Sequence, residues 1–398
     1  MNEKTEVNMT IGIDKIGFAT SQFVLKLQDL AEARGVDPEK FSKGLLLNEI
    51  SIAQLTEDIV TLAASASNSI LTDKEKEEID MVIVATESGI DQSKAAAVFV
   101  HGLLGIQPFA RSFEIKEACY GATAALHYAK LHVENSPESK VLVIASDIAK
   151  YGVGTPGEPT QGAGSVAMLI TQNPRIMAFN NDNVAQTRDI MDFWRPNYSS
   201  TPYVNGMYST QQYLDCLTTT WDEYKKRYDW TMDDFAAICF HLPYPKLALK
   251  GLRKMMDKTL SREKKDSLQE NFDKSILYSQ MIGNIYTGSL FLGLLSLLEN
   301  AEILKAGDKI ALYSYGSGAV SEFFSGELVE GYKAYLDKDR LSKLKQRTAL
   351  SVADYEKVFF EELQLDESGS AQFAGYEHQD YALVEIVDHQ RRYSKVEK

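Results

Sequence analysis

A cysteine, a glutamate, a histidine and an asparagine each stand where a short apolar run of this 398-residue chain gives way to a run of helical period. Cys119 lies in Glu117-Ala118-Cys119-Tyr120-Gly121-Ala122-Thr123-Ala124-Ala125-Leu126, at the expected start of a helix of small residues. The unpaired N–H groups and positive end of such a helix favour a thiolate, so Cys119 reads as a nucleophile. Glu87 follows the run 81–85, His241 follows 236–240, and Asn284 sits in Gly283-Asn284-Ile285-Tyr286-Thr287-Gly288-Ser289. A thiolate attacks a thioester carbonyl, an imidazole and an amide hydrogen-bond the developing oxyanion, and a carboxylate moves a proton on carbon. The four residue types together suit acyl-thioester chemistry. Each also has a plainer reading: a small buried hydrophobe for Cys119, an exposed loop residue for Glu87, a helix cap for His241 and a turn residue for Asn284. Four polar residues at equivalent strand-to-helix corners weigh against those, since such corners are where open α/β sheets place ligands.

Positioning them requires alternating strands and helices. The pattern predicts strands at Ile11–Ile16, Met81–Ala85, Val141–Ala145, Ser165–Ile170, Ala236–Phe240 and Lys309–Tyr315, with helices near 22–34, 51–71, 94–104, 119–134, 245–257 and 288–300. That is an α/β protein with buried sheet. The order of helix-opening Cys119, strand 141–145 and Gly162-Ala163-Gly164-Ser165 returns as helix-opening Asn284, strand 309–315 and Gly316-Ser317-Gly318, the mark of a duplicated unit. Two halves are expected, 1–170 carrying Glu87 and Cys119 and 171–398 carrying His241 and Asn284. The segment 171–235, dense in aromatics and turn formers, reads as an inserted cap. The lysines of 250–265 and the basic run Arg391, Arg392, Lys395 and Lys398 read as solvated surface.

With 56 acidic against 42 basic residues the net charge of −14 argues against nucleic acid or an anionic membrane as the main partner. The apolar stretch 281–298 is interrupted by Gly, Asn, Thr and Ser and falls short of a membrane span, and the N-terminus lacks a secretory pattern, so a cytoplasmic location is expected. Three cysteines in no CxxC pair, and six histidines without HExxH spacing, predict neither a disulfide framework nor a metal.

The segments Thr86-Glu87-Ser88-Gly89-Ile90-Asp91-Gln92-Ser93-Lys94, Glu117-Ala118-Cys119-Tyr120-Gly121, Phe240-His241-Leu242-Pro243-Tyr244-Pro245-Lys246 and Gly283–Ser289 closely resemble those of the 3-hydroxy-3-methylglutaryl-CoA synthases, members of the thiolase-fold condensing enzymes. The resemblance runs from about residue 10 to the C-terminus and includes Asp192-Phe193-Trp194-Arg195-Pro196 and Ser314-Tyr315-Gly316-Ser317-Gly318. Without the long C-terminal extension of animal members, the chain looks like a bacterial form. The resemblance implies a five-layered αβαβα fold of two related halves, a homodimer, and acetyl-CoA and acetoacetyl-CoA as substrates with no separate cofactor. It also implies roles. Cys119 takes up the acetyl group, Glu87 removes a proton from its methyl, and His241 polarises and protonates the ketone oxygen of the second substrate. Asn284 fixes a substrate oxygen, and Ser317 with Cys119 offers backbone donors to the oxyanion. Tyr151 lies at the substrate, Asp91, Asp147 and Asp192 orient the site, and Lys246 and Lys250, four apart on one helix face, are candidates with Arg253 for the CoA phosphates. A ketoacyl synthase and a cysteine thioester hydrolase are the competing readings; the first has no need of Glu87, and the second joins no carbons.

Overall fold

The computed structural model describes residues 10–199 and 201–397; Lys398, read above with the basic run, lies outside them. Ten strands share one sheet: β1 (Ile11–Ala19), β2 (Ile79–Ala85), β3 (Arg111–Ile115), β4 (Lys140–Ala149), β5 (Gly162–Gln172), β6 (Met177–Phe179), β7 (Val184–Thr187), and, after a small hairpin of β8 (Phe193–Trp194) and β9 (Tyr203–Val204), β10 (Ala237–Phe240), β11 (Lys309–Gly316) and β12 (Val320–Leu328). Their order is β10-β11-β12-β6-β1-β5-β4-β2-β3, with β7 also on β12. In one half β2 runs parallel to β3 and β4, and β4 is antiparallel to β5; in the other β10 is parallel to β11, and β11 is antiparallel to β12. The two halves repeat one topology and meet where short β6 bridges β12 and β1.

Strand alternation sorts the core into layers, because successive side chains point to opposite faces. On β2, Met81 and Ile83 face a central core shared with Val141 and Val143 of β4, Ile310 and Leu312 of β11, and the helices α3 (Gly121–Asn135) and α7 (Ser289–Asn300). Val82 and Val84 face the opposite way, onto α1 (Ile59–Asn68) and α2 (Ala96–Leu104). Ile238, Phe240 and Tyr313 of the second half face outward onto α4 (Gly206–Tyr228) and α5 (Pro245–Met255). The two halves of the continuous sheet thus form separate layers, giving helix, sheet, helix, sheet, helix. α7 is buried on every side from Ser289 to Leu298, which is what a central helix between the two halves of the sheet must tolerate.

Several elements depart from the sequence reading. The stretch 22–34 begins as a strand, Phe23–Lys26, and only then becomes the helix Leu27–Ala33; likewise 51–71 opens on the end of strand Glu49–Ile52 before Asp58 caps α1. The segment 171–235 is no simple insertion: it gives β6 and β7 to the main sheet and forms α4, whose Tyr213, Leu217, Trp221 and Tyr224 bury one face. Aromatics at helical spacing were the signal there, hidden by the turn formers before them. β12 lies outside the strands that the sequence pattern predicts, because its buried positions include Ser321, Glu322 and Ser325, whose polarity masks a central strand. Nor is Arg391 merely solvated, since it and Tyr393 reach Oδ2 of Asp58 at 3.3 and 2.6 Å and clasp the C-terminal hairpin to the N-cap of α1. Among the described residues no helix is long and apolar enough to cross a membrane, and no group of three or more His, Cys, Asp or Glu is arranged to hold a metal ion.

Candidate active site

Most of the corners of interest lie at the carboxyl ends of strands, where the backbone leaves the sheet and side chains can converge; Asn284 is the exception to the expected pattern, standing between the short helix Ser279–Ile282 and the turn Tyr286–Gly288 that leads into α7. Glu87 follows β2, Cys119 follows β3, Asp147 and Tyr151 lie at the end of β4, His241 follows β10, and Ser317 follows β11. The structure gathers Cys119, Tyr151, His241, Asn284 and Ser317 in the wall of one cavity of about 680 Å³, a volume suited to an organic ligand of cofactor size. Glu87 meets this wall through Cys119, whose Sγ donates to Glu87 Oε1 at 3.1 Å.

Asp147 organises the Glu87 corner. Fully buried, its carboxylate accepts from Thr86 Oγ1 (2.8 Å), Glu87 N (2.9 Å), Ser88 Oγ (2.8 Å), Thr287 N (3.1 Å) and Thr287 Oγ1 (2.5 Å). A buried carboxylate is tolerated only when its lone pairs are filled, and here filling them ties the loop after β2 to the loop before α7. Glu87 and Asn284 are thereby referenced to one point. Arg195 donates to the Glu87 carbonyl from the β8–β9 hairpin.

Asn284 is held with its amide oriented. Oδ1 accepts from Tyr286 N at 2.9 Å and Ser289 Oγ at 2.7 Å, while Nδ2 donates to Tyr151 Oη at 2.9 Å, leaving the second amide hydrogen for another acceptor. Gly283 before it has φ +84°, and a Cβ there would lie 1.8 Å from the Gln161 carbonyl oxygen, so this corner requires glycine. His241 is fixed by its backbone: its N–H donates to Tyr313 O at 2.8 Å and its carbonyl accepts from Tyr213 Oη at 2.9 Å. The residue is 2 % exposed, with Nδ1 lacking any partner among the described residues. Asp192, also fully buried, accepts from Tyr315 Oη (2.7 Å) and Gly318 N (2.9 Å), and so steadies the Ser317 turn from behind.

The electrostatics differ from the sequence reading in one respect. α3 begins at Gly121 with Tyr120 as its N-cap, so Cys119 lies in the turn before the helix, after Ala118 at φ +39°. Burial, and then the charge and hydrogen bond of Glu87, push the thiol well above its ordinary range. Desolvation and a neighbouring carboxylate outweigh whatever the helix terminus offers, and the resting nucleophile is a neutral thiol. Burial, with the Asp147 charge adding, raises Glu87 to about 8; burial lowers His241 to about 3. The imidazole is neutral at rest, and the carboxyl titrates close to working pH, as a base on carbon should.

Three expected residues fall elsewhere. Asp91 is exposed, and its carboxylate accepts from Ser93 N (2.7 Å) and Lys94 N (2.8 Å), a local turn ahead of α2 that does not reach the cavity. Lys246 and Lys250 lie on α5, which turns Leu247 rather than either lysine into the cavity wall. Conversely, Phe193 and Tyr286, which were not among the expected site residues, stand at the wall, each ring 5.9 Å from that of Tyr151 and 6.1 Å from the other between centroids. The clue to Arg195 and Phe193 was their closeness in sequence to Asp192.

Comparison with known proteins gives a consistent result. The family model described as hydroxymethylglutaryl-coenzyme A synthase N terminal matches residues 8–175, and its C-terminal counterpart matches 183–274 and 252–392. A hydroxymethylglutaryl-CoA synthase of Enterococcus faecalis is 54 % identical over 360 residues, 90 % of this chain and 94 % of that protein. A crystal structure of an HMG-CoA synthase complexed with CoA is 68 % identical, with a TM-score of 0.96 over 98 % of this chain and 100 % of that one. A structure of MvaS in complex with 3-hydroxy-3-methylglutaryl coenzyme A is 32 % identical, with a TM-score of 0.86 over 98 % of this chain and 100 % of its own.

Proposed function

The chain belongs to the hydroxymethylglutaryl-coenzyme A synthase family, and from that premise we propose that Cys119, Glu87 and His241 carry the family's reaction here. The protein is an acyltransferase of thiolase-like fold that condenses acetyl-CoA with acetoacetyl-CoA and water to give 3-hydroxy-3-methylglutaryl-CoA and CoA, a step of the mevalonate route. The observation that carries the assignment of residues is the Cys119–Glu87 hydrogen bond at the wall of a cavity that also presents His241 and Asn284.

The steps follow from the resting protonation states. As Cys119 Sγ attacks the acetyl carbonyl, its proton passes toward Glu87 and then to the departing CoA sulfur, leaving an acetyl thioester and an ionised carboxylate. Backbone N–H groups at Cys119 and Ser317 serve the oxyanion. Glu87 then takes a proton from the acetyl methyl, and the new carbon nucleophile adds to the ketone of acetoacetyl-CoA. His241, a neutral N–H donor, hydrogen-bonds the ketone oxygen and gives the alkoxide its proton, made good by the proton that Glu87 took from the methyl, so that ring and carboxylate return to their starting forms, while Asn284 Nδ2 holds a substrate oxygen. Water cleaves the enzyme thioester, restoring the thiol and releasing a free carboxylate on the product. The reaction calls for no cofactor beyond the two thioesters. Lys246, Lys250 and Arg253, at the outer face of α5, are assigned to the CoA phosphates, and Asp91 to positioning of the loop after Glu87.

The test is to supply both thioesters, quench in acid and read intact mass and products across pH. An acetyl adduct on Cys119 and a six-carbon product are expected, with the condensation rate rising as pH increases toward about 8 and Glu87 ionises. Acetate and CoA as sole products, or turnover with no adduct, would refute the assignment.

The same reading makes the protein a cytoplasmic homodimer. Its three cysteines, including buried Cys216 and Cys239, are unpaired, in keeping with a reducing compartment. β3 is an edge strand, exposed at Arg111 and half-buried from Ser112 to Ile115, with its Phe113 edge-on against half-exposed Tyr128 of α3 and exposed Phe109 just ahead of it, an edge that sheet proteins ordinarily cover. Sedimentation equilibrium is expected to give twice the chain mass at micromolar concentration; a monomer would overturn the dimer.

A further inference from the structure

Beside the nucleophile, outside the residues that line the cavity, lies a further buried carboxylate that the reaction above does not use. Glu322, 1 % exposed on β12, accepts at Oε2 from Tyr120 Oη (2.7 Å) and at Oε1 from Asn183 Nδ2 (2.8 Å), with His127 Nε2 2.5 Å from Oε1. Tyr120 directly follows Cys119. His127 lies seven residues further along α3, two turns on and the same face. One carboxylate thus grips the start and the middle of the helix that carries the nucleophile, and it does so from a strand of the other half of the fold.

Two further contacts make this seat specific. Ser314, paired with Glu322 in the β11–β12 register, accepts at Oγ from Thr123 Oγ1 at 2.8 Å. A Cβ on Gly316 would lie 2.7 Å from Tyr120 N and from the Glu117 carbonyl oxygen, so the turn holding Cys119 rests directly on the end of β11. Ala118 at φ +39° lies within that turn, a conformation that persists in an alanine only where surrounding contacts over-determine it. A buried carboxylate contributes little to stability over an apolar replacement, whereas its fixed, directional acceptors can define a position.

We infer that Glu322 is a positioning residue for the Cys119 nucleophile, acting through the Tyr120 hydroxyl and, along the same helix face, through His127. It touches no substrate. Its effect falls on the acyl-transfer step, because Sγ must meet the thioester carbonyl in a near-attack geometry, and a displacement of about 1 Å costs on the order of 100-fold. The inference rests on Cys119 as acyl acceptor.

A double-mutant cycle on the full-length protein tests it, using Glu322→Gln and Tyr120→Phe and following single-turnover acetylation of Cys119 from acetyl-CoA beside the KM for acetyl-CoA. Each single change is expected to slow acetylation about 10-fold with KM within about twofold, and the double variant to be no slower than the slower single. Effects that multiply, or acetylation at the wild-type rate in either folded single variant, would overturn the inference. Asn183→Ala, which removes one donor but leaves the Tyr120 bond, should slow acetylation less than Glu322→Gln does, and supplies the same reading should the Gln variant not fold; a wild-type rate for it in that case counts against the inference. Wild-type protein that takes up no acetyl group at all refutes the catalytic assignment itself, which keeps the two failures distinct.

Discussion

Glu87→Gln is expected to form the acetyl-enzyme yet lose condensation by about 10⁴-fold, the upper range for removal of a general base. The separation follows from what surrounds the sulfur. Two causes of the high Cys119 pKa, after burial, are the charge and the hydrogen bond of Glu87. Neutralising that carboxyl makes the thiol easier to ionise even as it removes the nearest proton acceptor, and the opposing effects should leave acetyl transfer within about 10-fold of wild type. No such compensation exists for the methyl proton, because a neutral amide cannot accept it. Single-turnover acetylation, followed by addition of acetoacetyl-CoA and product analysis, reads the two steps apart. Normal six-carbon product from this variant would remove Glu87 from its role as carbon base.

The same substitution carries a stability signature of defined sign. A carboxyl that titrates near 8 when folded and near 4.5 when unfolded binds more protons in the native state over that interval, so its contribution to stability is complete below pH 4.5 and is lost as pH rises through 8. Glu87→Gln should therefore be roughly neutral at pH 4.5 and stabilising by about 2 kcal/mol at pH 9, less than the full displacement because the side chain is not wholly shielded. Chemical denaturation at the two pH values checks this. A gain in stability from deleting a reactive group is the expected trade between function and fold.

Cys119→Ser should abolish turnover by at least about 10⁴-fold, with no acyl adduct under any dosing regime and acetyl-CoA affinity within about twofold. A serine hydroxyl is a far weaker acid than a thiol, and the site that already holds the thiol neutral through burial and Glu87 would hold the hydroxyl more firmly still. No charged histidine stands ready to offset this, since His241 is neutral at rest. Substantial condensation by the serine variant, measured by product mass after separation from contaminating wild type, would mean that the acetyl group is never carried on residue 119.

Both expectations turn on neutral forms, and that sets the order of events. A thiol and an uncharged imidazole share one cavity wall, with a carboxyl near its midpoint hydrogen-bonded to the thiol behind it, so the sulfur and the ring acquire charge only when substrate arrives. Asp147 permits this arrangement by spending its own charge on five donors, two of them on Thr287. The Glu87 loop is then held by hydrogen bonds that do not titrate with it.

How much of this was legible beforehand depends on the range of the interaction concerned. Apolar runs at 81–85, 141–145 and 309–315, and the small-residue helix after Cys119, are local patterns, and each became the element it suggested. Polar strands such as β12 were not legible, because the groups that satisfy buried Glu322 and Ser325, among them Tyr120, Asn183 and Asp182, are distant in the chain. The type of each reactive group, and for Cys119, Glu87 and His241 its place at a strand-to-helix corner, were likewise written in the sequence, along with the family those segments resemble; Asn284 follows a short helix instead. Tertiary structure alone decided the rest: that Asp91 points away while Arg195 reaches in, that one buried carboxylate joins two loops about 200 residues apart, and that the sulfur rests as a thiol. A residue's chemistry is covalent and travels with the sequence. Its protonation depends on how much water is excluded and which charges stand nearby, and those are set only when remote segments pack together.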